Sequence, residues 1–201
     1  MTEKLFEYDK NIKSSGYRYV CGIDEAGRGP LAGPVSVCAI VMPYDEMIDG
    51  VNDSKKVSAK KRDKLFEEIK ARAISYKCVM LDNNVIDEIN ILEATKKAMR
   101  EAVMSLSVEP DVVLIDAVKL ALPYETRSIV KGDATSYAIA CASIIAKVER
   151  DKLMDKYDKE YPEYGFSKHK GYGTKAHIDA IKTFGTTPIH RKTFIRNFTN
   201  E

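Results

Sequence analysis

Residues 17–42 read YRYVCGIDEAGRGPLAGPVSVCAIVM, and this stretch decides the fold. Two apolar runs rich in β-branched residues, 17–26 and 34–42, lie on either side of a segment rich in glycine and proline. Such runs separated by a turn segment predict two neighbouring strands that form a hairpin.

Two adjacent carboxylates, Asp24 and Glu25, stand near the end of the first run. On a regular strand, neighbouring side chains point to opposite faces of the sheet. For both carboxylates to reach one site, the strand must therefore end or bend at Glu25. Gly27 and Gly29 supply the conformational freedom for that change of direction.

The rest of the chain predicts further strands and amphipathic helices. Apolar runs predict strands at 74–81, 112–115 and about 127–131. Helical spacing predicts a helix at 58–73 with Ser58 as its N-cap, and a second helix that begins after the N-cap Asn90, has Glu93 in a capping box, and stops at Pro110. Two further helices are predicted from Tyr137 through Val148 and at about 175–184, where Gly185 ends the helix. Three leading strands followed by helix, strand, strand and helix imply an α/β chain with a mixed sheet flanked by helices.

Length and composition favour one globular domain that spans residues 1–201. We expect a core at about 17–156 and a loop-rich C-terminal part at about 157–201. No apolar run reaches the roughly 18 residues that span a bilayer, and the N-terminus is too charged for a secretory signal, so a cytoplasmic protein without a membrane partner is expected. The sequence has no Cys-x-x-Cys pair, which argues against a zinc cluster. The four cysteines are therefore expected to be small buried hydrophobic residues: Cys21, Cys38, Cys78 and Cys141.

The net charge is only +2, but the basic residues are unevenly placed. Residues 164–201 contain seven Lys or Arg against two acids, and residues 52–64 contain six against two. Basic patches on a nearly neutral protein suit an enzyme that binds nucleic acid and also holds cations. The competing interpretation of each patch is a solvated charged face.

Four carboxylates lie at or near the C-terminal ends of three predicted strands: Asp24, Glu25, Asp116 and Asp133. In open α/β sheets, functional sites form at that edge. Clustered carboxylates repel one another, and hard cations such as Mg²⁺ or Mn²⁺ would neutralise them. Two such ions can support phosphodiester cleavage. The competing interpretation is that each acid merely caps a turn.

These residues resemble the ribonuclease HII family, which cuts RNA in RNA–DNA hybrids. The matching blocks occur in family order and cover about Tyr17 to Arg191: Asp24–Gly29 with Leu31–Pro34, Asn52–Lys55, Leu114–Asp116, Lys131–Asp133 with Ala142–Asp151, His169–Thr174, and Pro188–Arg191. The resemblance implies a ribonuclease H-like fold, with a five-stranded mixed sheet, flanking helices and a small C-terminal helical part. Ala117 is a departure, because glycine is frequent at that position in the family.

The resemblance also implies roles for particular residues. Asp24, Glu25, Asp116 and Asp133 would be the catalytic carboxylates that bind Mn²⁺ or Mg²⁺. The remaining implied roles are substrate contacts: Gly27, Arg28 and Gly29 near the ribonucleotide 2′-hydroxyl, Tyr172 stacked on the sugar at the RNA–DNA junction, and Lys55, Ser143 and Lys147, with Arg28, on phosphates. His169, His177 and His190 are expected to be structural or to contact phosphate rather than to bind metal.

The implied activity is metal-dependent cleavage of the RNA strand of RNA–DNA hybrids by a monomer. It would extend to single ribonucleotides embedded in duplex DNA, with cleavage on the 5′ side that leaves 3′-hydroxyl and 5′-phosphate ends. One alternative is the related ribonuclease HIII, which commonly has Ser and Lys at the positions of Ala26 and Arg28 and carries an additional N-terminal domain, whereas only 16 residues precede Tyr17. A second is a non-catalytic nucleic-acid-binding module, which would have lost at least one acid. A nucleotide-binding loop fails, because its glycine motifs are absent.

Overall fold

The computed structural model describes residues 2–197, and its centre is a five-stranded mixed sheet. The strands are β1 (Val20–Ala26), β2 (Val35–Val41), β3 (Ser75–Leu81), β4 (Val112–Asp116) and β5 (Glu125–Ile129). Their order across the sheet is β3-β2-β1-β4-β5. Pairing is antiparallel between β1 and β2 and between β2 and β3, and parallel between β1 and β4 and between β4 and β5. The predicted hairpin is confirmed, and the fifth strand begins two residues earlier than predicted.

Seven helices surround the sheet in the described part of the chain. They are α1 (Thr2–Ser14), α2 (Ala59–Arg72), α3 (Asn83–Met104), α4 (Tyr137–Glu160), α5 (Phe166–His169), α6 (Lys175–Phe184) and α7 (Lys192–Ile195). Short 3₁₀ turns occupy Gly132–Ala134 and Pro162–Tyr164. The sequence analysis did not predict α1, because its charged residues obscure a sparse apolar face formed by Leu5, Phe6 and Ile12, which are buried.

Helix boundaries follow the predicted caps only in part. Ser58 precedes α2 in extended conformation, but its side chain makes no capping hydrogen bond. Helix α3 begins at Asn83 rather than after Asn90, and it kinks at Asn90, where φ is 64°. The Asn90 side chain nevertheless accepts hydrogen bonds from the backbone N–H of Leu92 and Glu93, so it caps the second half of the helix. The Glu93 carboxylate pairs with Lys96 instead of completing a capping box.

The sheet is covered on both faces, and each face has its own apolar core. Helices α1, α2 and α4 pack on one face, and α3 packs on the other. Helix α4 approaches β1 so closely that a Cβ on Gly22 would lie 2.2 Å from the carbonyl carbon of Ala138. A third cluster joins the C-terminal helices to Leu31 and Ala32 of the β1–β2 connection. The C-terminal part is therefore packed against the segment that follows the paired carboxylates.

The cysteines occupy the expected environments. Cys21, Cys38 and Cys141 are buried, Cys78 is half-buried, and all four are free thiols. Within residues 2–197, no helix is long and apolar enough to cross a membrane.

Candidate active site

Parallel pairing of β1 with β4 brings the acids together. Their register places Ile23 beside Ile115, so Asp24 and Asp116 follow at the same end of neighbouring strands. Pairing with β4 stops at Ile23, while pairing with β2 continues to Ala26. We expected β1 to end or bend at Glu25, and the strand extends one residue further, to Ala26. Because β1 has no pairing with β4 beyond Ile23, the sheet is open on that side at Asp24.

A cavity of about 340 Å³ lies at this opening. All eleven residues predicted as site residues line it, and Ala26 and Ser54 complete the lining. Residues from distant parts of the chain are thus gathered around one space. The specific role of each residue stays a prediction.

The acids of the cavity are crowded and poorly solvated. Asp24 is only 5% exposed, and burial, followed by the charge of Glu25, raises its pKa well above the usual range. Burial also raises the pKa of Glu25, although the Arg28 guanidinium opposes this shift. The pKa of Asp133 is raised by burial and then by the neighbouring charges of Asp53 and Asp116. Negative charge therefore accumulates here without full compensation by the protein.

Internal donors already satisfy several of the carboxylate oxygens. Asp24 Oδ1 accepts the Glu25 N–H at 2.7 Å, and Asp116 Oδ1 accepts the Gly132 N–H at 2.6 Å. Glu25 Oε1 lies 3.4 Å from Arg28 Nη1. Glu25 Oε2 is buried and has no partner within residues 2–197. A buried, unpartnered carboxylate oxygen is costly, so this atom is suited to receive a cation.

The residue types of the cavity suit a divalent metal ion, but the side chains are not arranged around a single ion in this structure. Oxygen donors match hard divalent cations, and a bound cation would offset both the burial and the mutual repulsion that raise the pKa values of these acids. Yet no three His, Cys, Asp or Glu side chains in the described part of the chain are arranged to hold an ion as they stand. Carboxylates that repel one another spread apart without a counter-ion. Binding would therefore require side-chain rotation from the hydrogen bonds described above.

Asp53 is an acidic neighbour of the site that the sequence analysis missed as a functional residue. Its charge and a side-chain hydrogen bond raise the pKa of Asp133, and its Oδ1 accepts the Lys55 N–H at 2.9 Å. It belongs to the matched block 52–55, and that block was the signal that could have identified it.

The predicted phosphate-contacting side chains are engaged with the protein to different degrees. Lys147 donates to Asp151 at 2.7 Å, and burial lowers the pKa of Lys147. Ser143 Oγ lies 2.8 Å from Ser54 Oγ, and a hydrogen bond from Ser143 to Asp24 lowers the pKa of that carboxyl. Ser143 therefore contacts Asp24 at the wall of the cavity.

Tyr172 forms part of the cavity wall and lies next to Gly29. Its side chain is 43% exposed, and a Cβ built on Gly29 would lie 3.7 Å from Tyr172 Cε1. The Tyr172 carbonyl is 2.9 Å from His177 Nδ1. His177 and His190 are buried, and their Nε2 atoms are 3.0 Å apart. Their burial supports the structural role expected for these two histidines over phosphate contact.

The chain matches the ribonuclease HII family model over residues 21–197. Ribonuclease HII of Caldicellulosiruptor bescii is 52% identical over 196 residues, which are 97% of this chain and 95% of that protein. The crystal structure of ribonuclease H2 from Pyrococcus horikoshii superposes with a TM-score of 0.77 at 28% identity, over 90% of this chain and 96% of that chain. Bst-RNase HIII in complex with Mn²⁺ has a TM-score of 0.62 at 17% identity, over 83% of this chain and 63% of that chain, and shows the shared fold alone.

The match to the ribonuclease HII model, the extended identity and the common fold agree with one another. They favour ribonuclease HII over the ribonuclease HIII alternative, and they confirm the ribonuclease H-like fold. All four acids expected of a catalytic member are retained, which argues against the non-catalytic alternative. We conclude that the chain belongs to the ribonuclease HII family and is a ribonuclease H, an endonuclease that acts on RNA–DNA hybrids.

Proposed function

We propose that this ribonuclease H depends on divalent metal ions and also cleaves duplex DNA that contains a single ribonucleotide. Cleavage on the 5′ side of the ribonucleotide would leave 3′-hydroxyl and 5′-phosphate ends. The observation that carries the proposal is the convergence of Asp24, Glu25, Asp116 and Asp133 with a glycine-containing loop and Tyr172 around one cavity.

The four carboxylates would hold the metal ions, and Glu25 Oε2 is already buried without a partner among the described residues. When bound, divalent cations supply charge neutralisation at the phosphate and lower the pKa of an attacking water. We assign Ser143 the task of orienting Asp24, because it contacts that carboxyl. Asp53 would help to position Asp133, because the two side chains share a hydrogen bond.

Substrate recognition would use the other side of the cavity. The backbone of Gly27–Gly29 would meet the 2′-hydroxyl, which is the group that distinguishes RNA from DNA. The exposed ring of Tyr172 would stack at the junction, since aromatic stacking tolerates any sequence. Arg28 and Lys55 line the cavity and would contact phosphates.

The test is cleavage of a DNA duplex with one central ribonucleotide in Mn²⁺ or Mg²⁺, with product ends analysed by mass spectrometry. We expect one cut on the 5′ side of the ribonucleotide and no cut in the matching all-DNA duplex. Chelation by EDTA should abolish cleavage, and Asp24→Asn should reduce it by at least about 10²-fold, the scale typical of losing a major electrostatic contributor.

The matched control is Asp45→Asn, which removes a carboxylate that is exposed and does not line the cavity. This variant should cleave at the unaltered rate. Full activity in EDTA, full activity of Asp24→Asn, or absence of cleavage at a single ribonucleotide would each contradict the corresponding part of the proposal.

A further inference from the structure

Two fully buried guanidinium groups lie beneath the segment that follows the paired carboxylates. Arg150 of α4 and Arg191, which precedes α7, are both 0% exposed. Neither forms a salt bridge with a carboxylate within residues 2–197. A buried cation without an anionic partner is costly unless its donors are satisfied. The hydrogen-bond partners of these groups are therefore informative.

Both guanidinium groups donate to backbone carbonyls of residues 27–34. The contacts of Arg191 are Nη2 to Gly27 O at 2.6 Å, Nη1 to Arg28 O at 2.9 Å and Nε to Gly33 O at 2.9 Å. Arg150 donates to Ala32 O at 3.1 Å and Pro34 O at 2.9 Å, and also to Lys170 O at 2.9 Å. Five of the eight carbonyls in this segment are thus directed at two buried cations.

This arrangement determines where the corresponding N–H groups point. No peptide bond in the described residues is cis, and in a trans peptide the N–H points opposite to the carbonyl of the same planar unit. Since Arg191 holds the carbonyls of Gly27 and Arg28, the N–H groups of Arg28 and Gly29 point away from it. Neither N–H has a hydrogen-bond partner among the described residues, and both residues line the cavity.

His190, the residue before Arg191, is linked through hydrogen bonds to Tyr172 of the cavity wall. The Thr187 N–H donates to His190 Nδ1 at 2.9 Å, so the proton of a neutral His190 is on Nε2. That Nε2 lies 3.0 Å from His177 Nε2, which must then accept. His177 consequently carries its proton on Nδ1 and donates it to the Tyr172 carbonyl at 2.9 Å. The hydrogen-bond chain has one consistent direction, which ends on Tyr172.

We propose that His190 and Arg191 are positioning residues for ribonucleotide recognition. Arg191 presents the N–H groups of Arg28 and Gly29 to the 2′-hydroxyl and its adjoining phosphate, and His190, through His177, holds Tyr172 at the wall of the same cavity. This inference rests on the proposed function and adds to it the residues that set the selectivity for ribose. Neither positioning residue lines the cavity itself.

The chemistry of arginine explains why that residue type is needed. Its planar fork offers donors in fixed directions, whereas lysine offers a single charged nitrogen. Three carbonyls at the distances above require donors from three separate nitrogens. Burial lowers the pKa of Arg191 to about 9, which still leaves the group charged at neutral pH.

The test compares Arg191→Lys with Arg196→Lys, both in an Asp24→Asn background that suppresses cleavage. Arg196 is exposed in the same C-terminal part and does not line the cavity, so the control matches the change in chemistry and charge. Fluorescence anisotropy gives the ratio of Kd values for an all-DNA duplex and the same duplex with one ribonucleotide. We expect Arg191→Lys to reduce this ratio by at least about tenfold, the equivalent of one or two misaligned hydrogen bonds, and Arg196→Lys to change it less than about twofold.

The outcomes separate the two proposals. If the background protein prefers the ribonucleotide duplex and folded Arg191→Lys keeps that preference, the positioning role is wrong while the proposed function stands. If the background protein itself shows no preference, ribonucleotide recognition fails and this inference fails with it.

A measurement with Arg191 intact decides the matter should Arg191→Lys not fold. In ¹⁵N-labelled Asp24→Asn protein, the amide signals of Arg28 and Gly29 should shift downfield with the ribonucleotide duplex and not with the all-DNA duplex. Equal shifts with both duplexes would overturn the proposal. The ¹⁵N signals of the histidine rings should show His190 protonated on Nε2 and His177 on Nδ1, and the reverse assignment would contradict the described chain.

Discussion

Substitution of Gly27 by alanine should destabilise the protein, whereas the same substitution at Gly29 should not. Gly27 has φ of +91°, and a Cβ there would lie 2.0 Å from Arg150 Nε and 2.5 Å from Arg150 Cδ. A left-handed backbone costs a non-glycine residue about 1–2 kcal/mol, and overpacking typically adds about 1–3 kcal/mol. Because Arg150 is buried and held by three carbonyls, we expect a total loss of about 2–5 kcal/mol.

Gly29 provides the matched comparison, since a Cβ there would meet only Tyr172 Cε1 at an ordinary 3.7 Å. Its alanine variant should unfold within about 0.5 kcal/mol of the natural protein, yet cleave a single-ribonucleotide duplex poorly because the methyl group faces the cavity. Urea unfolding followed by circular dichroism measures both free energies. A Gly27→Ala protein as stable as the natural one would refute the reasoning, because the segment would then be able to move away from Arg150.

Four further outcomes are expected. Saturating Mn²⁺ at 100 times its Kd should stabilise the natural protein by about 2.7 kcal/mol, and the same concentration should raise the Tm of Asp24→Asn much less. Tyr172→Ala should slow cleavage of a single-ribonucleotide duplex about tenfold or more, because the ring would lose its contact with the sugar at the junction and aromatic stacking on nucleic acid is worth about 1–3 kcal/mol. Ala117→Gly should stabilise the protein by up to about 1 kcal/mol in urea, because Ala117 has φ of 49°. Acidification from pH 7 to 5 should cost the natural protein about 4 kcal/mol more than a His177→Gln/His190→Gln variant, because burial lowers the pKa of both histidines from 6.5 to about 4.

The sign of the pH effect follows from which state binds protons first. Between pH 6.5 and 4 the unfolded histidines are protonated while the folded ones stay neutral, so stability is lost as the pH falls. Asp9 acts in the opposite direction, because burial raises its pKa to about 7 and the folded carboxyl gains its proton first. The difference between the two proteins therefore isolates the histidines, and equal acid sensitivity would contradict their assignment.

Single results would also contradict the expectations for Mn²⁺, Tyr172 and Ala117. An equal rise in Tm for Asp24→Asn would remove that carboxylate from the metal site. An unchanged cleavage rate for Tyr172→Ala would exclude the junction role. A destabilised Ala117→Gly protein would mean that the turn gains more from the methyl group than it loses through the backbone conformation.

The position of the acids could be predicted because it depends on local patterns and one general rule. Apolar runs marked β1 and β4, and the carboxyl ends of parallel strands share an edge. Asp24 and Asp116 were therefore expected near each other before any contact was known. The family resemblance then supplied Tyr172, whose neighbourhood in sequence contains no comparable signal.

The side chains that hold Gly27–Gly29 and Tyr172 in place could not be predicted in the same way. Hydrophobic periodicity indicates which face of an element is buried, but it contains no information about a charged side chain that crosses between elements. Arg191 reaches Gly27, 164 positions away in sequence, through a hydrogen bond to a backbone carbonyl. Backbone acceptors are the same at every residue, so no pattern marks the one that is used. The contact that joins α1 to α4 is of the same kind, since the buried Asp9 Oδ2 accepts hydrogen bonds from the Ser136 hydroxyl and the Ala138 N–H.

The same limitation affects the interpretation of the basic clusters. Arg191 is buried, and Arg62 donates to the carbonyls of Ser54 and Val57. Lys170 and Lys175 pair with carboxylates of their own domain surface. A count of Lys and Arg in residues 52–64 and 164–201 therefore overstates the positive charge that a phosphate backbone would encounter. Part of that charge instead holds the backbone beside the cavity, as Arg191 does for Gly27, Arg28 and Gly33, and under our proposal it would affect selectivity more than affinity.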